Sequence, residues 1–426
     1  MVAVLLLGFS SGLPLSLTGQ TLAYWLRVEG VSLTAIGLLA SVTTPYALKF
    51  LWAPIMDHLR LPWLTRRFGR RRGWLLACQV SLMGAIFVLG SGDPASNIWF
   101  IAILAFLVAF ASASQDIVVD AYRVEICDDQ NMAAGAAAYV LGYRIGMLLS
   151  GYGALYLADL LSWLWIYAVM AMFILVGMAA ALFNREPERQ VSADETRRTA
   201  ALREWLAARP NLSPNVGAIL GWFYIAVIGP FAEFVSRRGW LAVLLFVMLY
   251  KFGDSLAGVM TTPLYVDLGF DSREIANVAK LYGTGATLIG LALGGWLMSA
   301  AGLYPSLWIC GILQLLSNLA FAALAMAGAD LPMLAFAVGV ENLSGGMGTA
   351  AFVAYLSMLC NVSYTATQYA LLTSFMAFAR TVLSSSGGWL AEQLGWVTFF
   401  AATAAAAVPG LILLWWLTRQ HGRSAK

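Results

Sequence analysis

Ser112-Ala113-Ser114-Gln115-Asp116-Ile117-Val118-Val119-Asp120-Ala121-Tyr122-Arg123 closes an apolar run that begins near Ile98. Read as a helix, it brings Ser112, Asp116, Asp120 and Arg123 to one face, at steps of four, four and three. The run is long enough to cross a bilayer, which sets two carboxylates inside or just under hydrocarbon. A charge at the bilayer centre costs about 2.5–3.5 kcal/mol on insertion scales, so the stripe demands a cavity, a partner or a proton.

Composition carries the same message along the whole chain. The 426 residues are 61% hydrophobic and 11% charged, whereas a soluble domain carries about 25% charged residues. Long apolar runs recur without strand-like alternation, so the spans are helices rather than barrel strands. The net charge of +3 is too small to point to nucleic acid. Cys78, Cys127, Cys310 and Cys360 are scattered, with no CxxC or metal spacing, and read as packing residues. No Walker motif is present, which argues against ATP-driven transport. Neither a cofactor, a metal nor an enzymatic activity is expected. The first apolar run lacks a basic leader, so no cleavable signal peptide is expected, and a short cytoplasmic segment ahead of Met1 is.

Twelve spans are predicted: 1–26, 33–56, 73–91, 97–121, 132–157, 163–184, 240–266, 273–299, 305–327, 331–359, 365–390 and 396–418. Eighteen lysines and arginines fall in the loop after span two, behind span four, in the central loop and in the tail, against only Arg27 and Arg273 on the other side. The positive-inside rule makes the first side cytoplasmic and puts both termini there. The segment 216–234 is apolar enough for a further helix, but a crossing there would invert the basic tail, so it is read as lying along the inner face. The halves repeat. Gly30-Val31-Ser32-Leu33 matches Gly269-Phe270-Asp271-Ser272, each a glycine followed by a capping residue and a helix start. Leu157-Ala158-Asp159-Leu160-Leu161-Ser162-Trp163 matches Leu390-Ala391-Glu392-Gln393-Leu394-Gly395-Trp396. The expected organisation is an all-α polytopic membrane protein: a six-helix bundle over 1–184, a linker over 185–239 with an interfacial apolar helix, and a second bundle over 240–426. This is the parallel-repeat plan of a major facilitator transporter.

Nine ionisable residues lie within the spans: Lys49, Asp116, Asp120, Arg144, Lys251, Asp254, Lys280, Glu341 and Arg380. None falls on spans 3, 6, 9 or 12, which support the outside of the bundle in that plan. A wet central cavity is the economical explanation. Lys251 and Asp254, three apart, either neutralise each other or face that cavity. Arg380 and Lys280 suit an outer gate, and Lys49 sits near enough to the inner end to snorkel. Asp120 pairs with Arg123, Arg144 or Lys49. The small residues of span one (Gly8, Gly12), span five (Gly142, Gly146) and span ten (Gly345, Gly346) allow helices to approach and slide.

Several motifs together carry a resemblance. Gly8-Phe9-Ser10-Ser11-Gly12-Leu13-Pro14, Lys49-Phe50-Leu51-Trp52-Ala53-Pro54 with Asp57, Gly69-Arg70-Arg71-Arg72-Gly73-Trp74 and Ser112-Ala113-Ser114-Gln115-Asp116 are among them. So are Leu141-Gly142-Tyr143-Arg144-Ile145-Gly146-Met147, Tyr250-Lys251-Phe252-Gly253-Asp254 and Glu341-Asn342-Leu343-Ser344-Gly345-Gly346-Met347-Gly348-Thr349. The chain resembles the anhydromuropeptide permeases, the AmpG family of the major facilitator superfamily. That resemblance implies proton-coupled uptake of GlcNAc-1,6-anhydroMurNAc and its peptides across the bacterial inner membrane, serving wall recycling and β-lactamase induction. Some members continue into two further helices; this chain ends after Leu417-Thr418-Arg419 with the twelve-helix core.

The expected partners are the muropeptide, protons and the lipid bilayer, with the protein as a monomer. The residues suit that cargo. Arg144 can take a carboxylate in two hydrogen bonds, and Tyr139 and Tyr143, one turn apart, can stack on sugar rings. With Lys251, Gln115 and Asn342 they form the expected substrate set. Asp116, Glu341 and Asp254 are the expected proton carriers, and Lys49, Asp57, Asp120, Arg123 and Arg380 the expected gate. A carrier of another large anionic solute, such as an acyl-CoA or a drug, is the alternative.

Overall fold

The computed structural model describes residues 1–59, 61–127, 132–187, 200, 202–207, 217, 221, 224, 235–236, 239–359 and 365–424. Twelve helical crossings follow in chain order. They are α1 (Val2–Val28), α2 (Leu33–Leu51), α3 (Arg70–Gly90), α4 (Ile98–Ile126), α5 (132–157) and α6 (Trp163–Phe183). The second set is α7 (Trp240–Leu268), α8 (Ser272–Ala301), α9 (Leu303–Ala327), α10 (Leu331–Leu359), α11 (Thr365–Ser384) and α12 (Gly387–Arg419). α12 breaks at Gly395 (φ 70°, ψ 163°), so its first two turns complete the eleventh crossing and the twelfth begins at Trp396, where the sequence places it. Nearly all of the apolar stretch 216–234, the side chain of Asp57 and Cys360 lie outside the described residues.

The repeated loop signature has a common local cause. Gly30 and Gly269 take φ of 78° and 90°, a region that residues with a Cβ avoid. The helix that follows each glycine is capped. The Ser32 hydroxyl accepts from the Ala35 amide at 3.2 Å. Asp271 and Glu274 form a reciprocal capping box, with bonds of 2.6 and 3.0 Å.

Glycines also set how closely α1 and α5 meet. Gly8 and Gly12 of α1 lie against the carbonyls of Tyr139 and Tyr143, while Gly142 and Gly146 of α5 lie against those of Leu5 and Phe9. A Cβ at any of these positions would overlap a backbone oxygen, so the small-xxx-small spacing on both helices is what lets them meet.

At the arginine-rich end, α3, α4 and α6 are tied by charge. Glu125 at the end of α4 accepts from Arg70 at 3.0 Å and from Arg71 at 2.6 Å. Glu186 accepts from the backbone amides of Arg71 and Arg72, the first amides of α3, at 2.7 and 3.0 Å. The Arg72 guanidinium donates to the last carbonyls of α6, those of Ala181 and Leu182, both at 2.6 Å. These ties of Arg70, Arg71 and Arg72 join α3 to the ends of α4 and α6 in the first half.

The apolar core shows which end of the molecule is shut. Towards the end opposite the arginine-rich loop, one cluster runs through both halves, from Leu13, Leu17 and Trp25 to Met260, Leu264 and Phe400. Towards the arginine-rich end the core divides. Leu75, Val118, Tyr122 and Ala181 belong to a cluster of the first half, and Phe246, Tyr250, Phe352 and Leu414 to one of the second.

Candidate functional site

Four helices lose regular geometry where the halves meet. α1 is interrupted at Gly19 (φ −106°, ψ −110°) and α7 at Lys251 (φ −107°, ψ 14°). α5 carries a π-turn at Leu149–Gly153 and α8 one at Ala276–Tyr282. Such irregularity at membrane depth is tolerated where the backbone is buried in protein or lines a cavity. Two chambers lie there. The first, about 340 Å³, sits between α1, α2, α7 and α11 and is lined by Gln20, Thr43, Lys251, Asp254, Ser255 and Arg380 among others. The second, about 210 Å³, sits between α1, α5, α7, α8 and α10 and includes Gln20, Arg144, Thr262, Lys280, Glu341 and Asn342. Gln20 and Gly258 belong to both walls, so the chambers adjoin.

Six of the nine charges expected to face a cavity line these chambers: four cations and two carboxylates. Lys251 and Asp254 form no close ion pair. The Lys251 ammonium reaches α10 instead, donating to the Thr349 hydroxyl at 3.0 Å and towards the Gly345 carbonyl at 3.5 Å. Arg144 makes no hydrogen bond or ion pair with the described residues, and its guanidinium is available to a solute. Asn342 is partly committed: it donates to the Val338 carbonyl and accepts from Thr287, both at 2.9 Å.

The stripe on α4, expected to face the central cavity, divides between two other surroundings. Neither chamber reaches Asp116. α4 docks on α1 through Gln115, which accepts from Ser10 at 3.4 Å and donates to Ser11 at 3.2 Å. Gln115 is therefore a tether between helices. Asp116 is 6% exposed. Its Oδ1, the Ser112 hydroxyl and the Tyr46 hydroxyl are all buried without a hydrogen-bond partner, a polar nest inside the first half. One turn on, the Asp120 side chain is 43% exposed and pairs with Lys49 and Arg123, each at 3.5 Å. The Arg123 guanidinium lies 5.5 Å over the Tyr139 ring, and the Tyr139 and Tyr143 rings are 6.0 Å apart. The expected gate residues Lys49, Asp120 and Arg123 thus form one cluster within one half, while Arg380 is in the first chamber.

Among the described residues, the bonds that join the halves lie at the other end. Arg27 of α1 holds Asp267 of α7 through both carboxylate oxygens, the Nη2–Oδ2 bond being 2.7 Å, and the Trp396 indole donates to the same carboxylate at 3.0 Å. Asp159 accepts from Ser272 at 2.5 Å and pairs with Arg273 at 3.2 Å. Glu392 accepts from the backbone and hydroxyl of Thr34. Deeper in, Lys280 donates to Gln20. In the sequence, Arg27, Arg273, Asp159 and Glu392 mark only topology and repeat. Their signal as a gate was a charge at each junction, without a clue to its partner. Asp267→Asn removes one oxygen of the Arg27 fork, and is expected to raise the population open at this end by roughly threefold to fivefold. Distances between spin labels on Glu29 and Asp330 measure it, and an unchanged distribution would show that the pair does not hold the end shut.

A family model described as the Major Facilitator Superfamily matches residues 4–264. The anhydromuropeptide permease of Escherichia coli (strain K12) is 42% identical over 413 residues, spanning 96% of this chain and 78% of that protein. A transporter named AmpG 4 of Rickettsia felis is 33% identical over 417 residues, 98% of this chain and 96% of that one. The chain belongs to the AmpG family of the major facilitator superfamily. A POT family transporter solved in complex with a thioalcohol-conjugated peptide superimposes with a TM-score of 0.68 over 98% of this chain and 96% of that one, at 14% identity. That likeness speaks to the fold alone. As an AmpG-family member the chain is a multi-pass membrane transporter and not an enzyme.

Proposed function

We propose that the protein imports cell-wall anhydromuropeptides, GlcNAc-1,6-anhydroMurNAc and its peptides, from periplasm to cytoplasm by proton symport, feeding peptidoglycan recycling and β-lactamase induction. The supporting observation is the charge of the adjoining chambers, four cations against two carboxylates, for a solute that brings several carboxylates of its own. The permease name of the 42% identical relative agrees with it. The protein acts as a monomer in the inner membrane. The arginine-rich end and both termini are cytoplasmic, the linker over 185–239 joins bundles over 1–184 and 240–426, and the shut end faces the periplasm.

In this reading the cycle is alternating access. The periplasmic end opens, the chambers take the solute, the end shuts through Arg27–Asp267 and Asp159–Arg273, and the divided core lets the halves part towards the cytoplasm. Arg144, Lys251 and Arg380 hold carboxylates, and Tyr139 and Tyr143 present aromatic faces to sugars. Protons travel on carboxylates whose surroundings change as the halves rock. Asp116 has an unpartnered oxygen in a buried nest, and Glu341 lies in the second chamber. A membrane potential of 100 mV adds about 2.3 kcal/mol per charge moved.

Uptake of labelled anhydromuropeptide into proteoliposomes under an imposed pH gradient tests the reading. Wild-type uptake should rise with the inward proton gradient. Asp116→Asn or Glu341→Gln should leave exchange of solute across the membrane but lose the gradient's stimulation. Full stimulation in both variants would remove the proton assignment, and uptake of another anion in place of muropeptide would remove the substrate.

A further inference from the structure

Lys280 is the one charge in the second chamber whose partner is on the opposite half. It is 8% exposed, yet the side chain it meets is the neutral amide of Gln20. A buried ammonium is costly without a counter-charge, and no carboxylate lies within ion-pair distance of it among the described residues. The bond also sits on a mechanical seam. Lys280 belongs to the π-turn of α8, which packs against the π-turn of α5: a Cβ at Gly151 would meet the Lys280 side chain and Ser16 at 3.6 Å. Two irregular turns meeting across the interface can change register at less cost than two regular ones. When the shut end opens, α1 and α8 separate at this level and Lys280 loses Gln20.

We infer that Lys280 exchanges partners during the cycle, holding a carboxylate of the solute while the now-shut end is open and Gln20 once it closes. Gln20 is then the competitor that closes behind the solute. Closure withdraws Lys280 from the carboxylate, which passes to Arg144 in the same chamber. The exchange makes the ligand's affinity depend on the state of the end, which a ligand must do to shift a conformational equilibrium. The inference rests on the muropeptide reading for the identity of the carboxylate.

The test compares uptake of an acidic anhydromuropeptide with that of the same molecule with its carboxylates amidated. Lys280→Gln should raise KM for the acidic form at least about tenfold, the worth of one charged hydrogen bond, and leave KM for the amidated form unchanged. Lys280→Arg, which keeps the charge, should retain affinity for the acidic form. Gln20→Ala should lower kcat with little change in KM, because it removes the closing partner and not the anion's. Equal losses for the acidic and amidated forms in Lys280→Gln would reduce Lys280 to a structural residue and overturn the inference. So would a Gln20→Ala variant with wild-type kcat. Failure of the wild type to take up either form overturns the muropeptide reading instead.

Discussion

Gly142→Val is expected to abolish accumulation of folded protein. The glycine lies against the Leu5 carbonyl and the Phe9 amide. A Cβ there has no flexible neighbour to displace, only the backbone of α1. Overpacking a side chain costs about 1–3 kcal/mol, and a backbone obstacle stands at the upper end of that range or above it. Gly8, Gly12 and Gly146 share the seam, so α1 cannot slide to relieve one contact without losing three. α1 also supplies Gln20 to both chambers and Arg27 to the shut end, so loss of this packing removes the site with the fold. Gly84→Ala is the control, because a Cβ at Gly84 meets nothing within 4 Å, and alanine favours the helix by about 1 kcal/mol. Size-exclusion profiles and thermal melts of the detergent-extracted variants decide it. A monodisperse Gly142→Val protein with a wild-type Tm would show that α1 and α5 do not need this approach.

Arg144→Ala carries the second large effect, on transport. Arg144 lines the second chamber without a hydrogen bond or ion pair to the described residues, so little in the protein is left unsatisfied by its removal. The loss falls on the solute. Two charged hydrogen bonds to a carboxylate are worth about 1.5–3 kcal/mol each, so KM for anhydromuropeptide should rise at least about a hundredfold with expression unchanged. Arg144→Lys should recover only part of it, because an ammonium keeps the charge but not the planar fork. An unaltered KM in Arg144→Ala would move carboxylate recognition to Lys251 and Arg380.

The helices were legible because their signals are local. Apolar run length marks each crossing, and the Gly30–Ser32 and Gly269–Asp271 pairs mark the same turn in each half. Both glycines do adopt positive φ ahead of a capped helix. An interior lined by charge was legible too, since burial of a charge in lipid is prohibitive wherever the helix goes, and six of the nine do line the chambers. The pairing of those charges was not. Lys251 lies three residues from Asp254, which suggests neutralisation, yet the break in α7 at Lys251 releases its side chain towards Thr349 of α10. Asp116 shares a helix face with Asp120, yet among the described residues only Asp120 pairs with cations at 3.5 Å.

The sequence by itself determined twelve crossings, the parallel repeat and an interior lined by charge, because hydrophobic length, capping and the cost of a lipid-exposed charge act along a single helix. Tertiary structure alone decided that the interior is two adjoining chambers, that Asp116 lies apart from both, and that one end is shut by Arg27–Asp267, Asp159–Arg273 and Lys280–Gln20. Those pairs join residues more than a hundred positions apart. A helix's own periodicity states which face is polar, but which polar face it meets depends on how glycine seams and broken turns set the helices against one another.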